Sequence, residues 1–512
     1  MTAACRWAGL AALLALWQGL ALAGGGWLLA GPVQVADWLW SNPGLAGRAV
    51  AATMGNAAWG FVLGNGAAIG LAAIAALWPR SLAVVAGLAL VVFCLPLIAT
   101  GPILRVLMGP GSGPQIVLAA LAVYYTTLIP LLAGLRAMPQ AWLDLVHSYG
   151  RGRWTELVHV RARAALPYLL AGLQISAPAA ILGAMVGEFT GAERGLGVLT
   201  IRFTRDLDVP ALWAVAALAA GLSMAVYAGI GWLGRRAVAD PPPVILAAPP
   251  RLVQGSPARR TAQAALLAAL VLALWWAGVA GLNPFFAKRP PEVAAALLWA
   301  PDAATMRATL GAALAQTASL ALPGYVAGLA LGASLAVLLA LRPGLAALTV
   351  PLAVALRSIP IVTTAPLIVL LLGRGATGTV SLVALMVFFP AFVACQQGLA
   401  QAPGPILDLF RSHAAGPLRQ MLHVRIPAML PALFASARMS VPAAVLAATV
   451  IEWLATGRGL GSLMALSASV SDYRMLWLTM VAVTLLSAAL YGCVAWAERR
   501  VLAVMAPEQV RP

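Results

Sequence analysis

Slid against itself, the sequence matches at a constant offset of 264 residues, without a gap, from about residue 93 to residue 236. Pro96 falls on Pro360, Pro102 on Pro366, Gly109 on Gly373, Pro139 on Pro403, Asp144 on Asp408 and Ser148 on Ser412. Further on, His159-Val160-Arg161 falls on His423-Val424-Arg425 and Pro167 on Pro431. Glu188 falls on Glu452, and Arg194-Gly195-Leu196-Gly197 on Arg458-Gly459-Leu460-Gly461. A match of this length means one unit built twice, so what one half folds into the other must fold into as well.

The solvent for that unit follows from composition. Of 512 residues 62% are hydrophobic and only 9% charged, too little polarity to cover a water-facing surface, and a bilayer is the natural medium. Twelve nearly uncharged stretches approach the roughly 20 residues a helix needs to cross hydrocarbon, the cleanest being 7–31, 114–135, 209–234, 261–282 and 476–496. The stretch from Trp7 is long, follows a single arginine and ends in glycines without a convincing cleavage site, so it reads as the first span and not as a signal peptide.

The net charge of +17 would point to nucleic acid in a soluble chain, but here the arginines gather in short connections between spans. Arg80, Arg136, Arg151, Arg153, Arg161, Arg163, Arg235 and Arg236 fall in alternate connections, and Glu188, Glu193, Asp206 and Asp208 in the others. This is the positive-inside pattern, with the first set facing the cytoplasm and no nucleic-acid partner implied. Six spans per unit is an even number, which makes the repeats parallel. The expectation is an all-α transmembrane fold of about twelve helices, with units at 1–238 and 261–512 joined by a proline-rich cytoplasmic linker, 239–260. Gly60, Gly64, Gly66 and Gly70, and Gly324, Gly328 and Gly332, have the spacing that lets helices approach closely. Cys5, Cys94, Cys395 and Cys493 have neither metal spacing nor a disulfide pattern and read as packing residues.

The connection between the fourth and fifth spans carries the strongest functional signal. It reads AMPQAWLDLVHSYGRGRWTELVHVRARAALPYLLAG in one half and QAPGPILDLFRSHAAGPLRQMLHVRIPAMLPALFAS in the other. Trp142, Leu143, Val146 and Tyr149 are placed on one face of a short helix, as are Ile406, Leu407 and Phe410. An amphipathic helix outside the membrane wants a groove. Both segments resemble the EAA loop of ABC-importer permeases: Glu-Ala-Ala, three residues, Gly, then about nine residues to an apolar-Pro segment opening the next span. Asp144 and Asp408 stand where that family has Glu, Gly150 at its Gly, and Pro167 and Pro431 at its Leu-Pro. The departures are Leu145-Val146 and Leu409-Phe410 in place of the alanines and Ala414 in place of the second Gly.

The resemblance, which covers nearly the whole chain twice, implies two MetI-like units in the bacterial inner membrane. It also implies coupling helices, with Ser148 and Ser412 inside the two loops, that dock two cytoplasmic ATPase subunits, and cargo delivered by a periplasmic solute-binding protein. The chain is not its own ATPase: Lys288 is its one lysine, in NPFFAKRPP, with no Gly-x-x-x-x-Gly-Lys-Ser/Thr loop around it. All four histidines, His147, His159, His413 and His423, lie in the two loops at spacings that match no metal ligand set, and neither metal nor cofactor is expected.

In the second half RPPEVAAALLWAP, RSIPIVTTAPLIVLLLGRG and EWLATGRGLGSLM look like the permeases of the nitrate, sulfonate and taurine group, which implies a small anionic cargo. Fused permeases are also known for ferric iron and thiamine. CLPLIATGP and SIPIVTTAP, holding Pro96, Pro102, Pro360 and Pro366, break the backbone at membrane depth, where irregular chain is tolerated only beside protein or a wet cavity, and this places the translocation path there. Arg357 sits beside the second segment with Phe93 as its repeat counterpart in the first, which makes the pathway asymmetric, and it can contact cargo, snorkel to an interface or pair with an acid. Glu188 and Glu452 end the fifth spans near the periplasmic mouth, either as gate residues or as carboxylates reaching headgroups or backbone. The Gly-x-Gly after each is a turn device, too short and wrongly placed for dinucleotide binding. A secondary transporter is compatible with repeats and broken helices but calls for coupling acids in mid-membrane, whereas these acids cluster in loops and span ends. A membrane enzyme needs a buried nucleophile, base or metal set, which no span carries.

Overall fold

A computed structural model of the chain describes residues 14–23, 29–136, 140–237, 257–342, 344 and 361–505. Cys5, Pro139, Arg357, Pro360 and residues 239–256 of the expected 239–260 linker lie outside the described residues, and the last four residues of that expected linker, 257–260, are helical. Among the described residues there is helix and no strand. The first half runs α1 (Leu14–Ala23), α2 (Pro32–Ser41), α3 (Pro43–Leu77), α4 (Leu82–Phe93), α5 (Leu97–Met108), α6 (Gly113–Gly134), α7 (Gln140–Ser148), α8 (Arg153–Glu188), α9 (Leu196–Asp206) and α10 (Val209–Ala237). The second runs α11 (Pro257–Val279), α12 (Pro290–Leu298), α13 (Ala303–Leu341), α14 (Ile361–Leu372), α15 (Ala376–Ala400), α16 (Gly404–Ser412), α17 (Pro417–Thr456), α18 (Gly459–Ser469) and α19 (Tyr473–Met505).

Nine of these are long and apolar enough to cross a membrane, and α4 with α5, bent by 90° at Cys94–Pro96, is a tenth. The shorter apolar helices α1, α14 and α18 stand beside these ten, in keeping with the roughly twelve membrane helices that the hydropathy pattern predicts. Proline at the first turn starts α2, α3 and α12, where its missing N–H costs nothing.

The duplication reaches further than the constant offset does. Before α3 the two halves match at 258 residues: Trp17 donates from Nε1 to the Ala30 carbonyl at 3.0 Å, and Trp275 to the Lys288 carbonyl at 3.1 Å. The backbone N–H of Gly31 reaches Gln34 Oε1 at 3.0 Å, and that of Arg289 reaches Glu292 Oε2 at 3.3 Å. Trp17 packs on Trp213 and Trp275 stacks on Trp477, so each first span is pinned to the last span of its own half. The Pro-x-x-Val opening seen in the second half is thus also present in the first, as Pro32-Val33-Gln34-Val35.

Each half has a core of three crossing helices, α3, α6 and α8 or α13, α15 and α17. Small residues set the approach: a Cβ on Gly60 or Gly64 would meet Ala119 and Ala120 of α6 at 2.3–2.6 Å, and one on Gly324, Gly328 or Gly332 would meet α15 at 2.6–2.7 Å. Gly66 and Gly70 lie on the other face of α3, where a Cβ would meet nothing within 4 Å. Only the first pair of the four-residue glycine spacings in α3 is therefore a packing device.

The halves join along a two-fold seam. Helix α5 lies against α17, α18 and α19 of the second half, and α14 lies against α8, α9 and α10 of the first. Helix α11 crosses to α4, where Leu267 sits over Gly87. The proline-broken segments are the elements at this seam, with Pro96 opening α5, Pro102 inside it and Pro366 inside α14. We expect Gly64→Leu to lower stability by about 3 kcal/mol through overpacking against Ala120, and Gly70→Leu to stay within ~0.5 kcal/mol of the parent. Thermal midpoints of the detergent-solubilised variants check this, and equal midpoints contradict the packing assignment.

Candidate functional site: the paired loops and the carboxylate clasps

Outside the membrane the two loops fold alike. Helix α7 ends at Ser148 in a left-handed cap: Gly150 has φ +66°, its N–H reaches the His147 carbonyl at 2.9 Å, and the Arg151 N–H reaches the Val146 carbonyl at 3.2 Å. In the second loop Ala414 takes the same position at φ +51°, with its N–H on the Arg411 carbonyl at 2.9 Å and the Ala415 N–H on the Phe410 carbonyl at 2.9 Å. This is one Schellman cap built twice, once with glycine and once with an alanine that holds a left-handed conformation at a cost of roughly 1–2 kcal/mol. The departure of Ala414 from glycine leaves the geometry of the second loop intact. Ser148 and Ser412 each donate to the carbonyl three residues back, at Leu145 and Leu409, both at 2.8 Å.

The faces divide differently from the expected grouping. Leu143 and Leu407 turn inward and are buried, with Val146 and Phe410 half-buried beside them. Trp142, Leu145 and Tyr149 point outward, as do Ile406 and Leu409, and the exposed row continues through Trp154 and Leu418. Residues three apart share a side, so one apolar side seats each helix on its own half and a second is left in solvent. Asp144 and Asp408 are exposed at its border, the latter paired with Arg411 at 3.0 Å.

Behind the first loop lies a buried acid that the sequence reading passed over. Glu156 accepts from His147 Nε2 at 3.2 Å and from the Nε of Arg161, whose guanidinium also donates to the Leu135 carbonyl at 3.2 Å. Arg153 donates to the Leu77 carbonyl at the end of α3 at 3.2 Å, fixing the loop to that long helix. At the equivalent point the second half has Gln420, bonded to the Ala415 carbonyl at 2.8 Å. The signal was present as the second acid, after Asp144, of an arginine-rich loop. In both loops the chain re-enters its span through a π-helical turn, Glu156–Arg161 and Met421–Arg425, and Pro167 and Pro431 lie inside the helices that follow.

At the far ends of those helices the two carboxylates are turned inward. Glu188 is 1% exposed, and its Oε1 accepts from Thr53 Oγ1 at 2.7 Å and its Oε2 from the Gly197 N–H at 2.7 Å. Thr53 in turn accepts from the Leu196 N–H at 2.8 Å. Glu452 makes the equivalent contacts through one oxygen: its Oε2 accepts from Thr317 Oγ1 at 2.9 Å and from the Gly461 N–H at 2.9 Å, its Oε1 is buried without a hydrogen-bond partner, and Thr317 accepts from the Leu460 N–H at 2.9 Å. Three elements, α3, α8 and α9 or α13, α17 and α18, are thereby tied at one point. Gly195 and Gly459, at φ +140° and +88°, wrap the carboxylates so closely that a Cβ would meet them at 2.1–2.3 Å.

No group of three or more His, Cys, Asp or Glu side chains that could hold a metal occurs among the described residues. Thr53→Val removes a donor to Glu188 and the acceptor of Leu196 in a dry site, and the expected cost is about 2 kcal/mol, with Thr53→Ser near the parent. Thermal midpoints and protease protection of residues 189–195 check this, and an unchanged Thr53→Val protein contradicts the clasp.

A family model described as the inner membrane component of binding-protein-dependent transport systems matches residues 68–238 and, separately, 326–503. Over 142 residues, 28% of this chain and 58% of the relative, the chain is 35% identical to a probable ABC transporter permease protein of Haemophilus influenzae. Over 142 residues, 28% of the chain and 53% of the relative, it is 32% identical to the riboflavin transport system permease protein of Chloroflexus aurantiacus. It is 34% identical over 111 residues, 22% of the chain and 44% of the relative, to the formylaminopyrimidine transport permease protein of Halalkalibacterium halodurans. The chain spans about half the length of the curated relatives it matches. No solved structure matches it.

Proposed function

We propose, on the premise that this chain belongs to the family of binding-protein-dependent transport inner membrane components, that its two halves, 1–238 and 261–512, supply both permease units of an ATP-driven importer of the bacterial inner membrane. Two cytoplasmic ATPase subunits dock on α7 and α16, and a periplasmic binding protein delivers a small solute to the seam at Pro96, Pro102 and Pro366. The observation that carries this reading is the pair of capped helices, each seated by a buried leucine and each leaving a second apolar side, Trp142 and Leu145 or Ile406 and Leu409, in solvent. An exposed apolar patch built twice on the arginine-rich side marks a protein interface.

The helices that follow give the docking a mechanical consequence. Helix α8 runs 36 residues from Arg153 to Glu188, about 54 Å at 1.5 Å per residue, and ends in the clasp on Thr53 and Gly197. A displacement of α7 by its ATPase is carried by that rod to the outer end of α3 and the start of α9. The second half has the same rod in α17, 40 residues from Pro417 to Thr456. Closing and opening of the ATPase pair then rocks one half against the other along the seam.

For the cargo, two named relatives are permeases for riboflavin and for formylaminopyrimidine, both nitrogen heterocycles. They favour a small heterocyclic solute over the sulfonate, nitrate or taurine implied by the second-half motifs. Uptake of riboflavin, a formylaminopyrimidine and taurine by vesicles holding the permease, the ATPase and the binding protein of neighbouring genes is expected to favour a heterocycle. Taurine as the sole cargo contradicts that choice.

Co-purification of the detergent-solubilised chain with the neighbouring-gene ATPase is expected to give one permease with two ATPase subunits, whose ATP hydrolysis in vesicles rises with loaded binding protein. The double variant Leu145→Glu with Leu409→Glu, or charge reversal at Asp144 and Asp408, is expected to weaken association at least tenfold without changing the thermal midpoint. Ion-gradient-driven uptake by the chain alone, with no ATPase partner, overturns the reading.

A further inference from the structure

One charge in the membrane is required by neither the fold nor the loops. Between Arg425 and Glu452 the run that forms α17 contains a single charged residue, Arg438, twelve residues or about 18 Å into the regular helix that begins at Ile426. Its guanidinium pairs with Glu498 of α19 at 3.0 Å, and both side chains are 13% exposed. Burying such a pair yields little net stability, because the attraction only roughly offsets the desolvation of two ions. The first half shows that the helix pair does not need it. There Gln174 stands at the position of Arg438 and Gly234 at that of Glu498, and the Gln174 amide lies over Gly231 of α10.

Arg438 faces the seam between the halves. Its chain neighbour Met439 packs into the first-half cluster of Tyr124, Tyr125 and Phe93, and α5 lies against both α17 and α19. Tyr125 of the first half and Tyr491 of α19 lie within electrostatic reach of the guanidinium. Phe93, the last residue before the 90° break in the first broken span, stacks on Tyr125 at 4.0 Å. Two polar atoms here have no partner: Nε of Arg438, and the hydroxyl of Tyr125, whose side chain is completely buried. A donor left unpaired at membrane depth is costly unless something transient fills it.

We propose that Arg438 is the charge-selecting residue of the translocation path. It takes a negatively polarised oxygen of the passing solute, anionic or carbonyl, with the Tyr125 hydroxyl as a second donor, while Glu498 neutralises it between cargoes. This rests on the reading of the seam as the path. An ammonium solute is repelled there, and a flat ring finds the Phe93–Tyr125 stack beside the acceptor site. The pairing is asymmetric, since the equivalent of Tyr125 in the second half is Phe389 and that of Arg438 in the first is uncharged.

The test needs no knowledge of the cargo. In the full chain with its four native cysteines replaced, Tyr491→Cys is labelled in vesicles by sulfonatoethyl methanethiosulfonate and by trimethylammonioethyl methanethiosulfonate. Each rate is normalised to that reagent's rate with free 2-mercaptoethanol. The anionic reagent is expected to react about tenfold faster than the cationic one. Arg438→Gln, which installs the first-half residue, is expected to bring the ratio to within about twofold of unity, and Arg438→Lys to retain it. Equal rates with arginine present, a preference that survives Arg438→Gln, or no labelling by either reagent with or without ATPase and ATP each overturns the proposal. Association with the ATPase is read separately, so its loss refutes the importer and not the selectivity site.

Discussion

Away from water, every break in a helix exposes backbone groups that only protein can satisfy, and the rest of this structure is arranged around that constraint. The chain breaks twice per half at membrane depth or near it, in the proline-broken span and at the outer end of the fifth span. The second break is met by side chains: the N–H groups of Leu196 and Gly197 are taken by Thr53 and Glu188, and those of Leu460 and Gly461 by Thr317 and Glu452. The first is met by position, since α5 and α14 are buried against the opposite half. The two halves are therefore mutually necessary, each covering irregular chain that the other cannot leave to lipid.

A second consequence concerns where stiffness lies. The clasps fix the outer ends of α8 and α17, and the Schellman caps fix the ends of the short helices α7 and α16 outside the membrane. Between them stand single helices of 36 and 40 residues, each carrying a π-helical turn near its inner end. Such turns carry one residue more than the helix needs and recur where a helix must yield locally. Their placement just inside the loops gives each rod a yielding point there, and α17 has another at its outer end, Glu452–Thr456, where the clasp sits.

Much of this was legible in the sequence because polar residues are scarce in it. The offset that pairs Asp144 with Asp408 and Glu188 with Glu452 identifies the duplication, the loops and the span ends at once. Facing was less legible. Trp142 and Leu143 are both large and apolar, and only the packing of α7 on its own half decides that Leu143 goes in and Trp142 out. The glycine spacing in α3 likewise continues past the contact, so Gly66 and Gly70 carry the pattern without the neighbour. The repeat before α3 escaped a constant-offset search because the second half carries six extra residues between Glu292 and Gly324, and it emerged from hydrogen bonds of Trp17 and Trp275. Arg438 was legible only as a charge that breaks the repeat within an apolar run, where Gln174 stands in the first half.

Joining the units in one chain changes what selection can do with them. Two copies of one permease must carry every intramembrane group twice, so a single cation placed at the seam would face its own image across the two-fold. Here the halves have diverged where an image would be harmful and stayed alike where it is harmless. The clasps, caps and packing glycines are duplicated. The buried cluster of Asn65, Thr127 and Ser176 in the first half has Leu329, Ala391 and Ser440 as its counterpart, and Glu156 has Gln420. The Arg438–Glu498 pair occurs once. Scaffold, clasps and loop aspartates are symmetric and the buried ion pair is not, which is the division expected if the frame has to rock as a two-fold body while the solute passes along one chemically distinct wall of it.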